Sequence, residues 1–132
     1  MNPHGEDSSK IALVEDEPSH ALLMSYNLEI KGKQVILFEK SEDFLDTVKD
    51  QTFDLIIINV NLFNSDGLQL CQQIKNKGIL TPILFVTTSP SLQDCCNGTK
   101  LEYIVKPFSI KEFIQKVDHL LLERFMAIGD IG

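Results

Sequence analysis

The sequence predicts an α/β domain: a doubly wound, five-stranded parallel sheet with helices on both faces. Three observations carry this. Five short apolar runs recur along the chain: Ile11–Val14, Val35–Phe38, Leu55–Ile58, Ile83–Val86 and Tyr103–Val105. Several are nearly continuous in Val, Ile and Leu, as expected of strands covered on both faces. Segments of helical period separate them, and that strand–helix rhythm implies parallel pairing. The length of 132 residues suits one domain with a core of its own.

Taken in order, Met1–Ser9 is polar, lacks the apolar core of a signal peptide and reads as a flexible tail. The folded domain is expected over residues 10–126. After the first strand, Pro18 suits the first turn of a helix whose buried face would be Leu22, Leu23, Tyr26 and Ile30. The second helix follows Ser41, a candidate cap, and buries Phe44, Leu45 and Val48. The third runs from Asp66 to Lys77 and stops before Gly78. Between the fourth and fifth strands, Thr88–Lys100 holds Pro90, Gly98 and one strong aliphatic, Leu92. A fourth helix there would be short or irregular, since helices of about two turns are marginal without packing. The last helix is the strongest, with Ile110, Phe113, Ile114, Val117, Leu120 and Leu121, and with Ser109 and Glu112 spaced as a capping box. Residues 127–132 contain two glycines and read as a C-terminal tail or the start of a linker.

Composition excludes several functions. The formal net charge is −7 and no basic cluster stands against it. Direct nucleic-acid binding needs concentrated Lys and Arg, and anionic membrane surfaces need the same. No apolar stretch is long enough to span a bilayer. Three cysteines, two of them adjacent (Cys95-Cys96), form no disulfide framework. Reduced thiols in a cytoplasmic protein are the reading.

The polar residues of interest fall at strand carboxyl ends, where open α/β sheets bind ligands. Glu15 and Asp16 follow the first strand, Asn59 the third, Thr87 the fourth, and Lys106-Pro107 the fifth. Acidic pair, strand-end residue, hydroxyl and lysine, in that order and spacing, resemble the receiver domain of bacterial response regulators over roughly residues 10–123. The resemblance implies a flavodoxin-like (βα)5 fold with strand order 2-1-3-4-5. It implies a magnesium site at Glu15, Asp16 and the backbone carbonyl of Asn61. It gives Thr87 and Tyr103 the places of the switch hydroxyl and the aromatic that changes rotamer with it. Lys106 takes the place of the lysine that pairs with acceptor and phosphoryl group, before a peptide bond that is often cis in the family. Thr and Tyr also favour sheets for structural reasons.

One departure decides function. Where the family has an aspartate that accepts a phosphoryl group, this chain has Asn59. A carboxylate can attack phosphorus; a neutral amide has an acceptor oxygen and two N–H donors but no anionic nucleophile. Two further departures agree: Phe63 stands where the family often has proline, and Thr99-Lys100-Leu101-Glu102 replaces its small, acidic run before the aromatic. Asp66-Gly67 does match. With Asn59 the site residues Glu15, Asp16, Asn59 and Lys106 sum to −1 instead of −2, so divalent cations should bind weakly or not at all.

The expected function is thus a degenerate receiver in two-component signalling: a phosphorylation-independent interaction and regulatory module requiring no cofactor. The alternative is a conventional phospho-accepting receiver carrying an engineered Asp-to-Asn substitution. Expected partners are signalling proteins, a fused effector domain and a histidine kinase. Surplus apolar residues on the last helix (Phe113, Leu120, Leu121, Phe125) suggest a homodimer surface there, or a lead toward a further domain. Catalysis is not expected. Glu15-Asp16-Glu17-Pro18 carries the wrong charge for a flavin phosphate. It also lacks the paired aspartates of a phosphatase of this topology, and no Ser-His-Asp or Cys-His arrangement is present.

Overall fold

The computed structural model describes residues 9–59, 66–87 and 101–131. Five strands form one parallel sheet in the order β2-β1-β3-β4-β5. They are β1 (Lys10–Val14), β2 (Gln34–Phe38), β3 (Leu55–Asn59), β4 (Ile83–Thr87) and β5 (Leu101–Val105). Four helices are described: α1 (Pro18–Glu29), α2 (Ser41–Val48), α3 (Asp66–Asn76) and α4 (Ile110–Ile131). The expected helix between β4 and β5 lies outside the described residues, as do Asn61 and Phe63.

Alternation along the strands divides the core in two. Ala12, Val14, Ile56, Ile58, Ile83 and Phe85 pack on one face with Phe44, Leu70 and Ile74 from α2 and α3. Ile11, Leu13, Leu55, Ile57, Leu84 and Val86 pack on the other with Met24 and Leu28 of α1 and Phe113, Val117 and Leu120 of α4. This two-sided burial explains why the strands read as continuous apolar runs. Phe38, Phe44 and Phe53 meet mostly edge-on at centroid distances of 5.5–6.2 Å and fill the space under α2.

Local signals set most element ends. Pro18 opens α1. Gly78 takes a positive φ of 76° just past α3, a backbone state open to glycine, and Ile79 N–H reaches back to the Ile74 carbonyl. Ser109 Oγ accepts from Glu112 N–H at 3.0 Å while Glu112 Oε1 accepts from Ser109 N–H at 3.1 Å, closing the expected capping box. α4 then continues to Ile131, through the segment that its glycines suggested was a tail. One glycine inside a helix costs about 1 kcal/mol, too little to stop it alone.

Two expectations need correction. Ser41 is the first residue of α2 rather than its cap; Lys40 holds the cap position and no side-chain cap bond forms. More consequentially, α1 buries Ala21, Met24 and Leu28. Leu22, Leu23, Tyr26 and Ile30 point to solvent, 50–68% exposed. Both faces of this helix are apolar, so periodicity alone could not choose between them. The small Ala21 permits the close approach to the sheet that a leucine would obstruct.

Candidate functional site

Parallel pairing brings the strand carboxyl ends to one edge of the sheet. In register, Val14 lies beside Ile58, Asn59 beside Val86 and Thr87 beside Val105. The residue after each end is thereby delivered to a shared depression.

A chain of hydrogen bonds joins three of the expected residues. Lys106 Nζ donates to Asn59 Oδ1 at 3.0 Å. Asn59 Nδ2 donates to Glu15 Oε2 at 3.0 Å. The same Glu15 oxygen accepts the backbone N–H of Glu17 at 3.0 Å. Amide orientation follows from this chemistry: the oxygen faces the Lys106 ammonium, the N–H group faces the carboxylate. An aspartate could not make both contacts, because it has no proton to offer Glu15.

Burial shapes the electrostatics. Glu15 is only 2% exposed, and desolvation pushes its carboxyl above the ordinary glutamate range, opposed by the Glu17 N–H and the Lys106 charge. Its second oxygen, Oε1, is buried without a hydrogen-bond partner among the described residues. Asp16 is exposed beside it. Thr87 is fully buried, and its carbonyl accepts the Lys106 N–H at 2.7 Å, which anchors the lysine backbone. The Lys106–Pro107 peptide is cis, the isomer that the family resemblance implied. Tyr103 is half-buried against the α2–α3 side of the core.

Glu17 adjoins the site and is not among the residues expected there. Its side chain caps α1 by accepting from Ser19 N–H and Oγ, and these bonds hold its carboxyl below the usual range. Pro18 was the available signal, since a proline at the first helical position puts the residue before it at the cap. A second missed feature lies away from the site. Lys33, just before β2, is buried and pairs with Asp118 of α4 at 3.1 Å.

Comparison with known proteins fits this architecture. Residues 11–118 match the response regulator receiver domain. The nisin biosynthesis regulatory protein NisR of Lactococcus lactis is 34% identical over 112 residues, which are 83% of this chain and 48% of the relative. The alkaline phosphatase synthesis transcriptional regulatory protein PhoP of Bacillus subtilis is 34% identical over 117 residues, 86% of this chain and 49% of the relative. The chain thus spans about half the length of the curated relatives it matches. A two-component response regulator from Clostridium difficile superposes with a TM-score of 0.75 at 25% identity, over 86% of this chain and 95% of that one. NtrX from Brucella abortus gives a TM-score of 0.81 at 19% identity over 95% of this chain and 30% of that one, a likeness of fold. By its sheet order, its helices and its sequence match, the chain belongs to the response regulator receiver domain family.

Proposed function

We propose that this receiver domain works without phosphorylation, as a protein-interaction and regulatory module in two-component signalling. The observation that carries the reading is the double engagement of Asn59. Its oxygen is held by Lys106 and its nitrogen by Glu15. No anionic oxygen is present at the strand end to take a phosphoryl group, and the lysine that would meet that group is already bonded to the amide.

Magnesium tests the same idea. Hard cations take oxygen ligands. Here the Asn59 oxygen faces an ammonium and its nitrogen is an N–H donor, which leaves Asp16 and one Glu15 oxygen as the carboxylate donors among the described residues, with no anionic oxygen between them and Lys106. This donor set fits a divalent cation poorly, so weak or absent binding follows and no step is assigned to a metal.

The partners proposed are proteins: a fused effector domain, since the relatives are about twice as long, other signalling proteins, and a histidine kinase. No direct contact of this domain with nucleic acid is proposed, given the −7 net charge. No described helix is long and apolar enough to cross a membrane, and a cytoplasmic location is proposed. A homodimer through the last helix draws less support than the sequence suggested, because Phe113, Leu120 and Leu121 are taken up by the core and Leu122 is exposed instead.

The deciding experiment is incubation of the natural protein with a small phosphodonor such as acetyl phosphate and magnesium, read by intact mass. Unchanged mass is expected. A labile phosphoryl adduct on this domain would overturn the proposal.

A further inference from the structure

The outer face of α1 is unusually apolar for a surface helix. A helix on a sheet normally shows water a polar face. Here Leu22, Leu23, Tyr26 and Ile30 are 68, 50, 60 and 60% exposed. At helical spacing they form one stripe opposite Ala21, Met24 and Leu28, which are buried. Within Pro18–Ile30 the only Asp, Glu, Lys or Arg is Glu29, and the one histidine, His20, lies near the amino end. A contiguous exposed apolar patch marks an interaction site.

The charge pattern around the stripe indicates its occupant. Glu17 is exposed at the amino end and Lys31 is exposed just past the carboxyl end. An acid at one end, a base at the other and apolar residues between are self-complementary when two copies meet antiparallel. A two-fold interface requires such self-complementarity, because one surface must fit itself. We propose that α1 is a self-association surface, pairing antiparallel with α1 of a second copy of this chain.

One register satisfies the whole pattern. With Leu22 of one copy opposite Tyr26 of the other, Ile30 falls opposite Pro18 and Lys31 opposite Glu17. Each contact occurs twice. Glu29 then falls opposite Ser19, so no like charges meet along the seam. The helix dipoles are opposed as well, which favours this orientation over the parallel one. Two chains of net charge −7 repel at long range, and this seam adds no local like-charge contact to that repulsion. The inference does not depend on the chemistry of residue 59.

One short helix per copy makes a small interface, so dissociation constants of roughly 10–500 µM are expected. Sedimentation velocity of the full chain from about 10 µM to about 1 mM measures this range. Tyr26→Glu should leave only monomer, and circular dichroism should show it folded, since the position is exposed. Lys31→Glu should weaken dimerisation by about fivefold, two exposed ion pairs being reversed to repulsion. Glu17→Gln, which keeps an acceptor oxygen for the Ser19 cap bonds and removes the charge, should weaken dimerisation by about twofold. A chain that stays monomeric at about 1 mM overturns the proposal, as does a dimer indifferent to Tyr26→Glu. Weakening by Lys31→Glu with no effect of Glu17→Gln would refute the antiparallel register. Binding of the stripe to a different protein, without self-association, would also reject a second copy as its occupant.

Discussion

Asn59→Asp is the sharpest perturbation of this domain, because the geometry fixes two opposing effects of similar size. The new carboxylate would lie about 3 Å from Lys106 Nζ, where the amide oxygen now accepts at 3.0 Å. At an effective dielectric of 20 that attraction is worth up to about 5–6 kcal/mol. The other new oxygen would lie equally close to Glu15 Oε2, where the amide nitrogen now donates at 3.0 Å, and the repulsion has about the same magnitude. These nearly cancel. What remains is the lost Asn59–Glu15 hydrogen bond and a buried carboxylate left with one donor fewer, about 1–3 kcal/mol. Metal-free Asn59→Asp should therefore be less stable than the natural protein by about that amount in urea unfolding at pH 7. Magnesium should restore much of the loss, since a cation between two carboxylates removes their repulsion and binds only the folded state. The natural protein should gain little from the same addition. Equal stability of the two proteins without metal would refute the reasoning, and so would equal stabilisation of both by magnesium. Phosphoryl uptake by Asn59→Asp from a small donor would show that the remainder of the site is intact.

Other consequences can be checked separately. Burial raises the Glu15 carboxyl above the ordinary glutamate range in the folded protein. The folded state thus holds the proton more tightly than the unfolded chain, and stability falls as pH rises from about 4.5 through the raised value. Glu15→Gln should flatten that part of a urea-midpoint profile, and an unchanged slope would count against burial as the cause. Ser109→Ala removes half of the capping box of α4 and should cost about 1 kcal/mol without altering the donor-mixing experiment at residue 59. Phe44→Ala empties a fully buried ring site beneath α2 and should cost about 3–5 kcal/mol in chemical unfolding.

The sheet was legible because burial on both faces forces a simple code: short Val, Ile and Leu runs at regular spacing. Strand ends were equally legible, and with them Glu15, Asn59 and Lys106, which the register of β1, β3, β4 and β5 brings to one edge. What the sequence could not supply was the direction of each bond. That Asn59 turns its oxygen to Lys106 and its nitrogen to Glu15 is settled only when both partners have positions. That Glu15 is buried, with one oxygen unpartnered among the described residues, while its neighbour Asp16 is exposed, is likewise visible only in the fold. Lys33 gave no signal at all, because its partner Asp118 is distant in sequence.

The misassigned face of α1 exposes a general limit of periodicity. A pattern of leucines every three or four residues states that a helix has an apolar stripe, not that the stripe faces inward. In α1 two stripes compete. The one with the bulkier side chains lost, because Ala21 lets the helix settle on β1 and β2 while Met24 and Leu28 fill the gap. Placing Leu22 and Tyr26 inward instead would bury a phenol hydroxyl without an assured partner and put Ala21 in water, a poorer exchange on both counts. A sequence with more apolar residues than one interface can absorb carries information about a second interface. In this domain such a surplus sits on α1, while among the described side chains of α4 Leu122 is the exposed large apolar residue.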